Sequence, residues 1–115
     1  MKKIYHLSTC DTCRRIIKEL NPPSDFVLQD IKVAPVTETQ LEEMRELAGG
    51  YEALFSKRAR LYQERDLKSR VLTEADYKDL LLEHYTFLKR PVIIIGKQIF
   101  IGNSKKTVEQ VKAVM

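Results

Sequence analysis

The chain has 115 residues, 43% of them hydrophobic and 31% charged, with a formal net charge of +4. That length and balance describe one globular domain able to bury its own core, and exclude a disordered chain or a disulfide-stapled miniprotein. The mild basicity is compatible with nucleic acid or with anionic small substrates, but no direct nucleic-acid partner is expected.

Met1-Lys2-Lys3 resembles the start of a secretory leader, yet the chain turns polar by Ser8 and no apolar core follows. No apolar run approaches the length of a membrane span. The expected compartment is the cytoplasm, where thiols stay reduced and a lasting structural disulfide is unfavourable.

Lys3 to Leu7, apolar at Ile4, Tyr5 and Leu7, predicts a buried central strand. Asp11 or Thr12 is expected to cap a helix running to about Leu20, with Ile16, Ile17 and Leu20 on one face and Asn21-Pro22-Pro23 ending it. Asp25 to Ile31 reads as a second strand. Strand, helix and strand in so short a stretch make a right-handed βαβ unit with parallel strands.

Thr37-x-x-Gln40 has the pattern of a capping box before Leu41, Met44, Leu47 and Ala48, and Gly49-Gly50 closes that helix. Tyr51 to Phe55 predicts one short turn. Residues 56–70, rich in basic side chains, read as a loop with partial helix. Thr73 is expected to cap a helix carrying Tyr77, Leu80, Leu81, His84 and Leu88 on one face. After Arg90-Pro91, Val92 to Ile95 is a strand apolar on both faces, Gly96-Lys97 a tight turn, and Gln98 to Ile101 its antiparallel partner. A last helix follows Gly102-Asn103-Ser104, with Val108, Val111 and Val114 facing inward. The order βαβ, helices, ββα predicts an α/β thioredoxin-like domain over residues 1–115, with a four-stranded mixed sheet and a helical insert at 37–88.

The chemistry concentrates at Ser8-Thr9-Cys10-Asp11-Thr12-Cys13-Arg14-Arg15, which holds both cysteines of the chain. A Cys-x-x-Cys where a strand feeds a helix is the setting of redox chemistry. The helix N-terminus, Arg14 and Arg15 favour a thiolate. Cys10, at the helix start, is the expected nucleophile; Cys13, one turn in, is the resolving thiol. The alternatives are a pair of small core residues, or zinc, for which only the two cysteines and the distant His6 and His84 are present. No metal is expected. His6 is a candidate neighbour of the thiol or a plain strand histidine, and His84 reads as core or helix-end packing. Arg58, then Arg60, are the candidate oxyanion-binding arginines, since a guanidinium offers paired hydrogen bonds. The proline after Arg90 belongs at a strand's first residue; a cis bond there brings Arg90 near the thiol turn.

Taken together, Ile4-Tyr5-His6, Cys10-Asp11-Thr12-Cys13-Arg14, Ala53 to Arg58, Tyr62, Glu83-His84 and Leu88-x-Arg90-Pro91 resemble the arsenate reductase (ArsC) family of thioredoxin-like proteins. That family also contains the Spx-type transcription regulators. The resemblance implies Cys10 as the thiol that attacks arsenate, His6 close to it, Arg90 as an oxyanion-binding arginine, and a cis Arg90-Pro91 bond. Thr12 and Arg14 of the same motif join the candidate substrate-binding set. The family's other two arginine positions fall at Ser56 and Asn103. Cys13 resembles the second cysteine of the Spx redox switch, and Gly49 or Gly50 the place where that group meets the RNA polymerase α-subunit.

The implied function is a thiol-dependent oxidoreductase in which Cys10 attacks arsenate or a related electrophile. No cofactor is bound, and glutathione with glutaredoxin, or Cys13, resolves the adduct. The alternatives are a Spx-like regulator binding RNA polymerase α-subunit and a general disulfide reductase without arsenate activity.

Overall fold

A computed structural model describes residues 1–115. The chain forms two compact units, Met1–Pro35 with Arg90–Met115, and Val36–Lys89.

The first unit is built on a four-stranded sheet. Its strands are β1 (Lys2–His6), β2 (Val27–Asp30), β3 (Val92–Ile95) and β4 (Gln98–Ile101), in spatial order β2-β1-β3-β4. β1 pairs in parallel with β2, and β3 is antiparallel to both β1 and β4. Helix α1 (Asp11–Leu20) is the crossover from β1 to β2. It ends at Asn21 in the left-handed region (φ 44), whose N–H bonds back to the carbonyl of Ile17. The pattern of β1 and β3 follows from their central places: Ile4 and Ile93 face each other across the ladder, and so do Tyr5 and Val92. Pleating sends the two pairs to opposite faces, and all four side chains are buried.

One face of the sheet carries the main core of this unit. Ile4 and Ile93 meet Ile16 and Leu20 of α1, Phe26, and Val108 and Val111 of the last helix, α5 (Lys105–Val114). Each such burial stabilises the fold by about 1.5–3 kcal/mol. Lys112 and Glu19 form an ion pair of 2.7 Å between the two helices. Val114 stays 39% exposed, so the inward stripe of α5 ends at Val111.

β2 is shorter than the predicted Asp25 to Ile31 and lies at the sheet edge. Val27 and Leu28 are accordingly exposed, while Phe26 and Ile31, just outside the strand, are buried. The β3–β4 hairpin turns at Gly96, whose φ of +62 suits a residue without Cβ.

The second unit is helical: α2 (Glu38–Ala48), α3 (Arg60–Glu64) and α4 (Glu74–Glu83), with 3₁₀ turns at Glu52–Leu54, Leu67–Ser69 and Tyr85–Phe87. Thr37 and Gln40 form the capping box of α2, and Gly49 (φ +90) closes that helix. Thr73 and Asp76 form a second capping box at α4. The core centres on Phe55, stacked on Phe87 at 5.2 Å and edge-on to Tyr77 and Tyr62. Unlike the predicted continuous face from Tyr77 to Leu88, α4 ends at Glu83. His84 turns extended, and its Nδ1 accepts the Thr86 N–H at 3.0 Å, starting a new turn. Glu74 accepts N–H bonds from Tyr51 (2.8 Å) and Glu52 (3.1 Å), and a Cβ on Gly50 would lie 3.0 Å from that carboxylate.

Candidate active site

The end of β1 and the start of α1 are joined by a turn over Leu7, Ser8, Thr9 and Cys10. The turn is closed by the Cys10 N–H donating to the carbonyl of Leu7 at 3.0 Å. Cys10 is the N-cap residue of α1, with extended backbone. This corrects the expectation of Asp11 or Thr12 as the cap: Asp11 is already the first helical residue. The Cys10 side chain makes no regular cap hydrogen bond, yet the first amides of the helix act on its sulfur. Both cysteines are free thiols, Cys10 half-buried and Cys13 fully buried.

The pKa values of the two thiols are displaced in opposite directions. Burial acts to raise the pKa of Cys10. It is outweighed by hydrogen bonds from the Cys13 backbone and thiol, the positive charge of Arg90 and a hydrogen bond from the Thr12 backbone, so Cys10 lies below the ordinary thiol value. Burial pushes Cys13 up to about 11; a hydrogen bond from the Leu7 backbone opposes the rise, while Cys10 adds to it as bonding partner and as charge. The fixed charge beside both sulfurs is Arg90. Arg14 is instead in an exposed ion pair with Asp11, and Arg15 acts on Glu19. The charge predicted to come from the two arginines next in sequence thus comes from an arginine brought in by the fold.

Arg90 and Pro91 are joined by a cis peptide bond at the entrance to β3. The Pro91 carbonyl accepts the Gly102 N–H at 3.0 Å, and Pro91 itself is buried. The sheet unit therefore holds Cys10, Cys13, Thr12, Arg14, Arg90, Pro91 and His6. His6, last residue of β1, sits in register with Asp30, whose carboxyl is held down chiefly by the Ser8 side chain. Asn103 is exposed between β4 and α5.

Arg58 and Arg60 belong to the helical unit, both exposed, Arg60 as the first residue of α3. Ser56 there donates its N–H to the carbonyl of Phe87 at 2.7 Å. No group of three or more His, Cys, Asp or Glu side chains is placed to hold a metal ion, and no helix is long and apolar enough to cross a membrane. Asp30, which sequence reasoning passed over, touches the thiol turn: its Oδ1 accepts N–H bonds from Ser8 (3.4 Å) and Lys32 (3.2 Å).

A thiol pair at a strand-to-helix turn, on a mixed sheet ordered β2-β1-β3-β4 and with a cis-proline opening β3, defines a thioredoxin-like protein. Solved structures share this fold. An arsenate reductase from Vibrio cholerae superposes with a TM-score of 0.79 at 20% identity, covering 99% of this chain and 97% of its own. A putative ArsC family related protein from Bacteroides fragilis gives 0.78 at 21% identity, covering 96% of each. Within that class, the ArsC family model matches residues 5–111, and the chain belongs to the ArsC family. Its curated relatives include the global transcriptional regulator Spx of Streptococcus pneumoniae (strain ATCC BAA-255 / R6), 25% identical over 104 residues, or 89% of this chain and 78% of the relative. The Spx of Bacillus subtilis (strain 168) is 24% identical over 114 residues, 96% and 86% of the two chains.

Proposed function

We propose that the chain is a cytoplasmic thiol oxidoreductase in which Cys10 attacks and Cys13 resolves. The placement of the two thiols carries this reading: Cys10 is the half-exposed N-cap residue of α1, where its pKa is lowered, and Cys13 lies buried one turn in, where its pKa is raised. A thiolate is the reactive form, so the first sulfur is the better nucleophile and the second a proton-bearing reserve.

With arsenate as electrophile, the Cys10 sulfur bonds to arsenic and an arsenic-bound oxygen leaves as water after protonation. A second thiol, from glutathione or Cys13, then attacks the Cys10 sulfur. The sulfur–arsenic electron pair stays on arsenic, which leaves as arsenite. The balance is arsenate plus two thiols giving arsenite, one disulfide and water. Arg90 stabilises the negative charge at the attacking sulfur and on the bound oxyanion. Glutathione with glutaredoxin restores the thiols. The test is arsenate-dependent NADPH consumption in a system coupled through glutathione, glutaredoxin and glutathione reductase. Turnover that disappears in Cys10→Ser supports the reading; no turnover at high enzyme concentration removes arsenate as substrate.

The relatives that are Spx regulators, together with the second cysteine, favour one other reading: a redox-sensing regulator whose Cys10–Cys13 pair switches binding to the RNA polymerase α-subunit. Its test is whether oxidised and reduced protein differ in capturing the isolated C-terminal domain of that polymerase component. Equal capture, or none, excludes it.

A further inference from the structure

We propose that Asp30 is a positioning residue for Cys10, holding in place the turn that presents its sulfur at the start of α1. The inference rests on the reading of Cys10 as an activated thiolate.

Asp30 is the last residue of β2, in register with His6 at the end of β1. In the same unit Asp11, Glu19 and Asp25 pair with the side chains of Arg14, Lys112 and Lys2. The Asp30 carboxylate instead accepts backbone N–H bonds, from Ser8 of the thiol turn at 3.4 Å and from Lys32 beyond β2 at 3.2 Å, and the Ser8 side chain helps to hold its pKa down. Ser8 follows Leu7, whose carbonyl closes the turn on Cys10 and whose backbone also faces the Cys13 sulfur. A single carboxylate thus holds the residue that directly follows Leu7, whose backbone makes both thiol contacts. Ser8 is exposed, so without that anchor water competes for its polar groups and the turn loosens. The amides of Thr12 and Cys13 then lose their aim at Cys10.

The sign of the effect separates this role from a bare electrostatic one. A carboxylate acting only as a nearby charge disfavours the thiolate, so removing it speeds Cys10. A carboxylate acting as anchor favours the thiolate through the turn, so removing it slows Cys10.

The experiment measures the iodoacetamide alkylation rate of Cys10 against pH in the full chain, with His6 unchanged and thermal unfolding monitored for each variant. Asp30→Ala is expected to slow alkylation at pH 7 by about fivefold, the worth of one hydrogen bond, with the midpoint of the profile moved upward. Asp30→Asn, which keeps an acceptor oxygen, retains most of the rate. Ser8→Ala loses part of it, and the double variant is no slower than Asp30→Ala alone, because the two act as one unit. If Asp30→Ala does not fold, the Asn and Ser8 variants carry the test. A fast wild type with an unchanged or faster Asp30 variant, or additive losses in the double variant, overturns the inference alone. A wild type no faster than a free thiol overturns the thiolate reading, and the inference with it.

Discussion

Helices α1 and α2 begin with extended N-cap residues, Cys10 at φ −92 and Thr37 at φ −80, and with the same unpaired amides to satisfy. At α2 the Thr37 hydroxyl accepts the Gln40 N–H at 3.1 Å, and the Gln40 side chain answers to the Thr37 N–H at 3.1 Å. Thr73 and Ser104 cap α4 and α5 through their hydroxyls in the same way. At α1 the cap position holds a thiol, which makes no such bond, and the amides of Thr12 and Cys13 are left to favour a thiolate. At α2, α4 and α5 the cap position serves stability, and the short α3 starts at Ala59 with no side-chain cap. The start of α1 gives up a good cap and gains a thiol whose ionisation is favoured, with Arg90 supplying the positive charge that the first turn of α1 ties up in its Arg14–Asp11 pair.

The contrast breaks most completely in Cys10→Ser. That variant should lose all thiol alkylation assigned to residue 10 and all thiol-dependent turnover, while the fold, followed by circular dichroism, remains. Arg90→Met should raise the pKa of Cys10 and slow its alkylation at pH 7. Thr37→Ala, which removes a cap but no charge, should leave that rate unchanged.

Cys13 offers a test by pH. An unfolded thiol ionises near the ordinary value of 9.0, and folded Cys13 near 11. A raised folded pKa gives stability that is fully present below pH 9 and lost as pH rises through 11. The difference corresponds to about 2–3 kcal/mol. Urea unfolding at pH 8 and pH 11 should show an alkaline loss larger in wild type than in Cys13→Ala; equal losses would mean that Cys13 ionises in the folded protein as it does in an unfolded one.

Smaller effects follow at the caps. Thr37→Ala and Thr73→Ala should each cost about 1 kcal/mol in denaturant unfolding. Smallest, Cys10→Ser should raise stability by about 0.5–1 kcal/mol, because it installs a preferred N-cap. A destabilised Cys10→Ser would show that the sulfur already serves as a full cap.

The sequence made local features readable and hid the ones that depend on folding. The Thr37–Gln40 box, the β3–β4 hairpin and the buried Val92 to Ile94 run are each carried by residues close in the chain, and all are present. The end of α4 was not readable, because His84 sits at helical spacing and only its bond to Thr86 reveals the break. Thr73–Asp76 escaped the usual box pattern because aspartate stands where glutamate or glutamine is the familiar partner. The pair Cys10 and Cys13 was legible as a motif. The source of the charge beside it was not, since Arg90 reaches it from the far end of the chain while the adjacent Arg14 is drawn off by Asp11. Asp30 was silent for the same reason: its link to Ser8 spans 22 positions.

The central claim, that one turn of helix displaces the pKa values of two thiols in opposite directions, is tested most directly by titrating each separately. The cysteine 13Cβ chemical shifts of the folded, labelled protein followed by NMR between pH 5 and pH 12 give both midpoints without a reagent having to reach buried Cys13. The account predicts Cys10 below the ordinary thiol value of 9.0 and Cys13 near 11. A shared midpoint near 9, or Cys13 ionising first, would contradict it.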